Sequence, residues 1–411
     1  MKYYFLALKR FSDFNSRSSL KEYWYFVFSS LIFSLIFLLI DQILGTQIIL
    51  YLLFLILMTI PHIAVAVRRL HDVGKKGLML LFLLVPIAGP LWLLILLCKD
   101  GEKDQNEWGD PIDTESSKTN LIFNHIMVIL LFIGISFAYF SPVLQSKMLD
   151  MPDIKNHKGM SKEVVDFRDA TGEEALWTNS MFSGMPAYQI STKYKANLIQ
   201  YVDKIMMLGI PRPANMLFLY LLGFYILLLS LKVDYRLAIV GAIAFAFSSY
   251  FFIIIQAGHM TKAHAIAYLP MVVAAVLYTY RGKMLLGGVL TALTVALELY
   301  ANHLQITYYL VLMLLLIGVV QFVKDLKTNN VADFAKRTGI LVIAALLASC
   351  TSLTRLATTM EYGKDSTRGK SELTDNLDNK TSGLDKDYAT SWSYGIAESF
   401  TLLIPNFYGG A

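Results

Sequence analysis

The sequence predicts an all-α polytopic membrane protein with about 9–10 transmembrane helices, and three observations predict it. Of 411 residues, 55% are hydrophobic and only 16% charged, where a soluble chain carries about 25% charged residues. Mean hydropathy is +0.52. Several long apolar runs follow one another, each enough to cross a hydrocarbon core of about 30 Å as a helix. A β-barrel is excluded, because its strands are about ten residues long and alternate in polarity. The net charge of +5 calls for no nucleic acid, since Lys and Arg gather on the cytoplasmic loops of a bacterial inner-membrane protein.

The expected spans are 24–43, 47–67, 77–98, 121–143, 213–231, 237–256, 265–280, 284–300, 304–323 and 338–357. The first follows a basic stretch and precedes no small-residue cleavage site, so it reads as a retained span rather than a signal peptide. Residues 99–120 (KDGEKDQNEWGDPIDTESSKTN) are acidic and separate two modules. The expected division is 1–112, a linker end at 113–120, and 121–411. Residues 144–212 form a long loop with enough Trp, Phe and Met to fold. Residues 358–411 are polar and stop at NFYGGA, which suggests a C-terminally incomplete chain. Cys98 and Cys350 lie in or beside apolar runs and read as buried, unpaired thiols.

Charge sets the orientation. Lys232 with Arg236, Arg281 with Lys283, and Lys324, Lys327, Lys336 and Arg337 fall in three loops separated by pairs of spans. That face is cytoplasmic. Loops 144–212, 257–264, 301–303 and 358–411 are then outside. In the first module, Lys2, Lys9, Arg10, Arg17, Lys21, Arg68, Arg69, Lys75 and Lys76 also belong inside. Three full spans before residue 110 would leave it outside, while the second module needs it inside. Pro86, Gly89 and Pro90 interrupt 77–98, so one solution is a segment that dips in and returns.

The motifs RSSLKEYWYF (17–26), RRLHDVGKKG (68–77) and NEWGDP (106–111) resemble the small bacterial inner-membrane proteins of the YhaH type, a domain family of unknown function. The resemblance covers about 1–112 and implies no chemistry. Physically, RRLHDVGKKG reads as a cytoplasmic basic loop, a topology anchor touching lipid headgroups. His71 beside Asp72 as a proton relay is the minor reading.

Over about 121–411 the chain resembles the YfhO family. The motifs are MPDIKNHKGMSKEVVDFRDATGEEALWTNSMFSGMPAYQIS (151–191), GHMTKAHAIAYLP (258–270), ANHLQITYYL (301–310) and GLDKDYATSWSYGI (383–396). The resemblance implies a type C glycosyltransferase core with a long first outer loop, a catalytic acid in that loop, and a polyprenyl-phosphate sugar donor. By its position Asp153 is the catalytic acid, with Asp166 the alternative.

The residues agree with that chemistry. A lipid-linked donor is met at the membrane surface, where its phosphate needs positive groups and its acceptor hydroxyl needs a carboxylate or imidazole to take a proton. Asp153, His259, Lys262, His264 and His303 all fall at the outer ends of spans. Lys262 or a protonated His would neutralise the charge growing on the departing phosphate. Asp153 would then act as general base in an inverting displacement. Glu298 lies in an apolar run, where an ionisable group is costly and therefore a functional candidate; Gln305 follows close behind. Trp177 could stack on a sugar, though an interfacial aromatic belt explains it as well.

Plainer readings stand beside these: solvated loop acids for Asp153 and Asp166, and interfacial histidines for His259 and His264. His259 and His264 are five apart, so they do not share a helix face as a metal pair. No cofactor is expected, and a divalent metal is left open. The acceptor would be an envelope polymer or lipid, with membrane lipids around the bundle. The alternative functions are a transporter or lipid flippase, which should carry buried charge near the midplane and related halves, and a non-catalytic membrane scaffold.

Overall fold

The protein is an all-α membrane protein. A computed structural model describes residues 2–46, 48–85, 88–111, 118–366, 390–391, 393–404 and 407. Linker residues 112–117 and most of the 383–396 motif lie outside the described residues. Contacts divide the chain into two units, 1–148 with 234–240, and 149–233 with 241–411. The helix after the linker groups with the first unit, whereas the sequence alone suggests a division at 121.

The first unit contains α1 (Lys2–Lys9), α2 (Leu20–Leu44), α3 (Ile49–Asp72), α4 (Ala88–Cys98) and α5 (Lys118–Tyr139). Ser19 caps α2 by accepting the Glu22 N–H, a bond worth about 1 kcal/mol. Gly45, at φ +71, ends it. The Asp41 carboxylate then accepts from the N–H groups of Leu50 (3.1 Å) and Tyr51 (2.8 Å). This caps the start of α3. Tyr4, Trp24, Phe26, Leu70, Leu93 and Leu97 form the core between these helices.

The interrupted segment 77–98 turns back on itself. Gly77–Leu84 is a 3-10 helix and α4 follows a break, so neither piece is long enough to cross. A Cβ on Gly77 would lie 2.8 Å from the Val67 side chain. At the other end, the Leu97 carbonyl accepts from Trp24 Nε1 (3.3 Å) and Arg69 Nε (3.1 Å). Both ends thus sit at the C-terminal end of α3. A Cβ on Gly89 would fall 1.7 Å from the Phe82 carbonyl oxygen, so only glycine permits the return. Entry and exit on one face remove the parity conflict.

The basic motif is only partly the exposed loop expected: Lys75 and Lys76 are exposed, but the arginines are not. Arg68 and Arg69 are wholly buried at the end of α3, and Arg17 is nearly so. Arg17 Nε donates to Asp72 Oδ1 (3.0 Å), and Arg69 reaches the other Asp72 oxygen. Arg68 pairs with Glu22 (3.2 Å) and donates to the carbonyls of Arg10 and Asp13. Arg17 also takes the carbonyls of Glu102, Asp104 and Gly109. His71 stacks on Trp108, ring centres 4.3 Å apart. The motifs at 17–26, 68–77 and 106–111 are therefore one polar clamp that ties residues 99–111 to the bundle.

The second unit begins with an outer segment: α6 (Pro152–Met160), α7 (Lys162–Thr171), a two-stranded ladder of β1 (Trp177–Thr178) with β2 (Met185–Pro186), and α8 (Ile199–Met206). Then come α9 (Ala214–Ser230), α10 (Tyr235–Ala246), whose first residues group with the first unit, α11 (Ser249–Ala257), α12 (Met260–Tyr280), α13 (Met284–Tyr300), α14 (Leu304–Lys327), α15 (Val331–Thr351) and α16 (Leu353–Tyr362). α12 is the buried centre and touches α9, α11, α13, α14 and α15. Gly223 lets α9 approach it, since a Cβ there would lie 2.6 Å from the Ala267 carbonyl oxygen. α14 turns Leu315, Leu316, Val319 and Val320 outward, as a lipid-facing helix does.

Two spans depart from the expected straight form. α10 and α11 bend by 47°, and α15 bends by 76° into the helix after Ser352. α12 starts at Met260, so Lys262 and His264 lie in its first turns rather than in a loop. Cys98 is half-buried and Cys350 exposed, against the expectation of two buried thiols.

Candidate functional site

The outer ends of the second unit's helices meet in a cavity of about 490 Å³. Pro152 opens α6 and places Asp153 in its first turn, where the helix dipole favours a carboxylate. Facing it is the corner between α11 and α12. Gly258 makes that corner at φ +95, and a Cβ on it would sit 3.1 Å from the Asp153 Cβ. The next residue, His259, brings Nε2 to 3.0 Å from Asp153 Oδ2. Both side chains remain about half exposed, 44% and 50%, so the pair is open to the aqueous face.

Lys262, His264 and His303 also line this cavity, joined by Arg212 and His157. His264 is buried, with Nε2 2.7 Å from Asp203 Oδ1, a contact distance at which the ring N–H does not point along the line. The Tyr268 hydroxyl, one turn along α12, donates to the same oxygen at 2.7 Å. His303 precedes α14 after Asn302 at φ +59. Burial, then the Lys262 ammonium, holds its imidazole below the ordinary value of 6.5, which favours its neutral form. The cavity thus holds a carboxylate–imidazole pair, an imidazole favoured neutral and two cations, Arg212 and Lys262. Among the described residues no three of His, Cys, Asp and Glu gather as a metal-ligand set.

Other sequence candidates lie elsewhere. Asp166 is exposed and paired with Lys162 one turn away on α7. It does not line this cavity. Gln305 is exposed and donates to the Tyr309 hydroxyl at 2.9 Å. Glu298 is wholly buried and accepts from the Thr307 hydroxyl, joining α13 to α14. Trp177 packs its ring against Gly184 and donates to Asn179 Oδ1. None of these four is among the lining residues.

Sequence reasoning missed Asp203, Arg212 and His157. His157 was findable, since it lies one helical turn after Asp153. Arg212 stands between two prolines, and no pattern marks it. Asp203 is the acid of a short helix whose apolar Tyr201 and Ile205 face outward. A soluble amphipathic helix would do the reverse, so the usual pattern assigns Asp203 to solvent.

Comparison with known proteins bears on the first unit. Inner membrane protein YhaI of Escherichia coli K12 is 37% identical over 113 residues, which cover 27% of this chain and 96% of the relative. Inner membrane protein YhaH of the same strain is 35% identical over 117 residues, covering 27% and 97%. No solved structure matches the chain. With these relatives and its several apolar helices, the protein is a multi-pass protein of the inner membrane. Residues 11–110 match the family described as "Protein of unknown function (DUF805)", and through this first unit the chain belongs to that family.

Proposed function

We propose that the second unit is a membrane glycosyltransferase that takes a sugar from a polyprenyl-phosphate donor at the outer face and passes it to a hydroxyl of an envelope polymer or lipid. One observation carries the reading: the Asp153–His259 pair shares its cavity with Arg212 and Lys262. The acceptor hydroxyl gives its proton to the Asp153 carboxylate as its oxygen attacks the anomeric carbon. The bond from that carbon to the phosphate oxygen breaks, and polyprenyl phosphate departs with the electron pair. Arg212 and Lys262 meet the charge that develops on it. His259 holds the carboxylate in place and takes up part of the proton's charge. Phosphate is a good leaving group and needs no acid.

The test uses the full chain in lipid nanodiscs with undecaprenyl-phosphate glucose as probe donor. Expected results are saturable donor binding, release of undecaprenyl phosphate in the presence of envelope extract, and a 10²–10⁴-fold slower release in Asp153→Asn with binding retained, the usual range for loss of a general base. Lys262→Gln should weaken binding instead. No binding of this donor, or of the mannose and galactosamine analogues, by the folded wild-type protein would discard the reading in favour of a scaffold.

A further inference from the structure

A second cavity, about 440 Å³, opens where α15 breaks into α16. Lys195 and Arg355 line it, and no acidic residue does among the described residues. Arg355 is held in place: its Nη1 donates to the Tyr300 carbonyl at 3.1 Å, and its guanidinium lies over the rings of Tyr194 (5.1 Å) and Tyr300 (5.8 Å). Lys195 spends one hydrogen on the Gly172 carbonyl.

The floor of this cavity is the N-terminus of α16, ten residues long, whose preceding Ser352 caps nothing with its side chain. Ser352 is 5% exposed, and its hydroxyl has no hydrogen-bond partner among the described residues. The Tyr194 hydroxyl is likewise buried without one. A buried hydroxyl left unmade costs roughly 1–3 kcal/mol, and a helix start presents N–H groups and positive potential. Water satisfies a hydroxyl but does not balance the two cations that line the same cavity. A tetrahedral oxyanion does both, because it accepts from guanidinium, ammonium and hydroxyl at once.

We propose that this cavity is a second anion site that takes the phosphate of a phosphate-bearing ligand, apart from the cavity of Asp153. It does not depend on the transferase reading. The ligand's phosphate comes either free from solution or on a lipid headgroup at the membrane surface.

Full-length protein in neutral detergent is titrated calorimetrically with inorganic phosphate, with dihexanoyl phosphatidylglycerol and with dihexanoylglycerol, which lacks the phosphate. Saturable binding of at least one phosphate probe, and none of dihexanoylglycerol, is expected. Response to inorganic phosphate marks a soluble source, and response to the phospholipid alone marks a headgroup. Lys195→Glu, at an exposed position, should weaken binding at least tenfold without changing the melting temperature. Arg355→Gln should do the same, and if it fails to fold, Lys195→Glu decides. The proposal is overturned if neither phosphate probe binds the wild-type protein, if Lys195→Glu binds as the wild type does, or if Lys262→Gln alone removes the binding.

Discussion

Asp203 Oδ1 stands 2.7 Å from both His264 Nε2 and the Tyr268 hydroxyl, so one carboxylate from the outer segment holds the first two turns of the central helix. Replacing it with Ala strips the buried Tyr268 hydroxyl of its acceptor and the His264 ring of its neighbouring carboxylate. We expect Asp203→Ala to lose about 1–3 kcal/mol, read as a lower melting temperature in detergent. An unchanged melting curve would show that the carboxylate bears no structural load.

Gly258→Ala is expected to be destabilising by about 1–3 kcal/mol, since it puts a Cβ residue at φ +95 and against Asp153. Because the strain falls at the Asp153–His259 corner, donor binding should weaken along with stability. A variant with wild-type melting and binding would mean that the corner relaxes freely.

With residues 77–98 returning rather than crossing, we expect Asp110 on the cytoplasmic side. A green fluorescent protein fused after Asp110 should fluoresce, and alkaline phosphatase fused there should be inactive. The opposite pattern would require a full crossing. Gly89→Val should disturb this arrangement, given the 1.7 Å approach to the Phe82 oxygen.

Asp72 neutralises two buried guanidiniums, Arg17 and Arg69. Asp72→Ala removes the carboxylate that both guanidiniums contact, at a cost of about 3–5 kcal/mol. The clamp on residues 99–111 should open, and limited proteolysis should cut there faster than in the wild-type protein. Equal cutting rates would argue against the clamp.

Glu163 accepts from the Thr178 hydroxyl and from the N–H groups of Asn179 and Ser180, which holds its carboxyl below the usual 4.5. The folded value is lower than the unfolded one, so the stabilisation is complete above about pH 4.5 and fades as pH falls through the folded value. Unfolding of the outer segment should therefore be insensitive to pH near neutrality and become easier in acid. Glu163→Gln should flatten that acid dependence, which hydrogen exchange at Asn179 and Ser180 reports.

Much of the architecture was legible because lipid imposes one pattern: long apolar helices and cationic cytoplasmic loops. Asp153, His259, Lys262, His264 and His303 share a cavity because they fall at the same ends of successive spans, which counting crossings reveals. What escaped depends on three-dimensional partners. RRLHDVGKKG has the composition of a surface loop, and only the carboxylates of Glu22 and Asp72 and the carbonyls around them make its burial tolerable. Asp166 and Asp153 look alike in sequence; a helix rotation decides that one faces Lys162 and the other His259.

The enclosure of Arg68 and Arg69 gives the two guanidiniums separate duties in time. Before the bundle forms, positive residues at a span end act as a signal of sidedness. Once the bundle closes they are girders, withdrawn from the cytosol. Because Glu22 and Asp72 are buried with them, the burial leaves the +5 formal charge of the remaining surface unchanged, and substitutions there should perturb biogenesis and mature stability as two separable phenotypes.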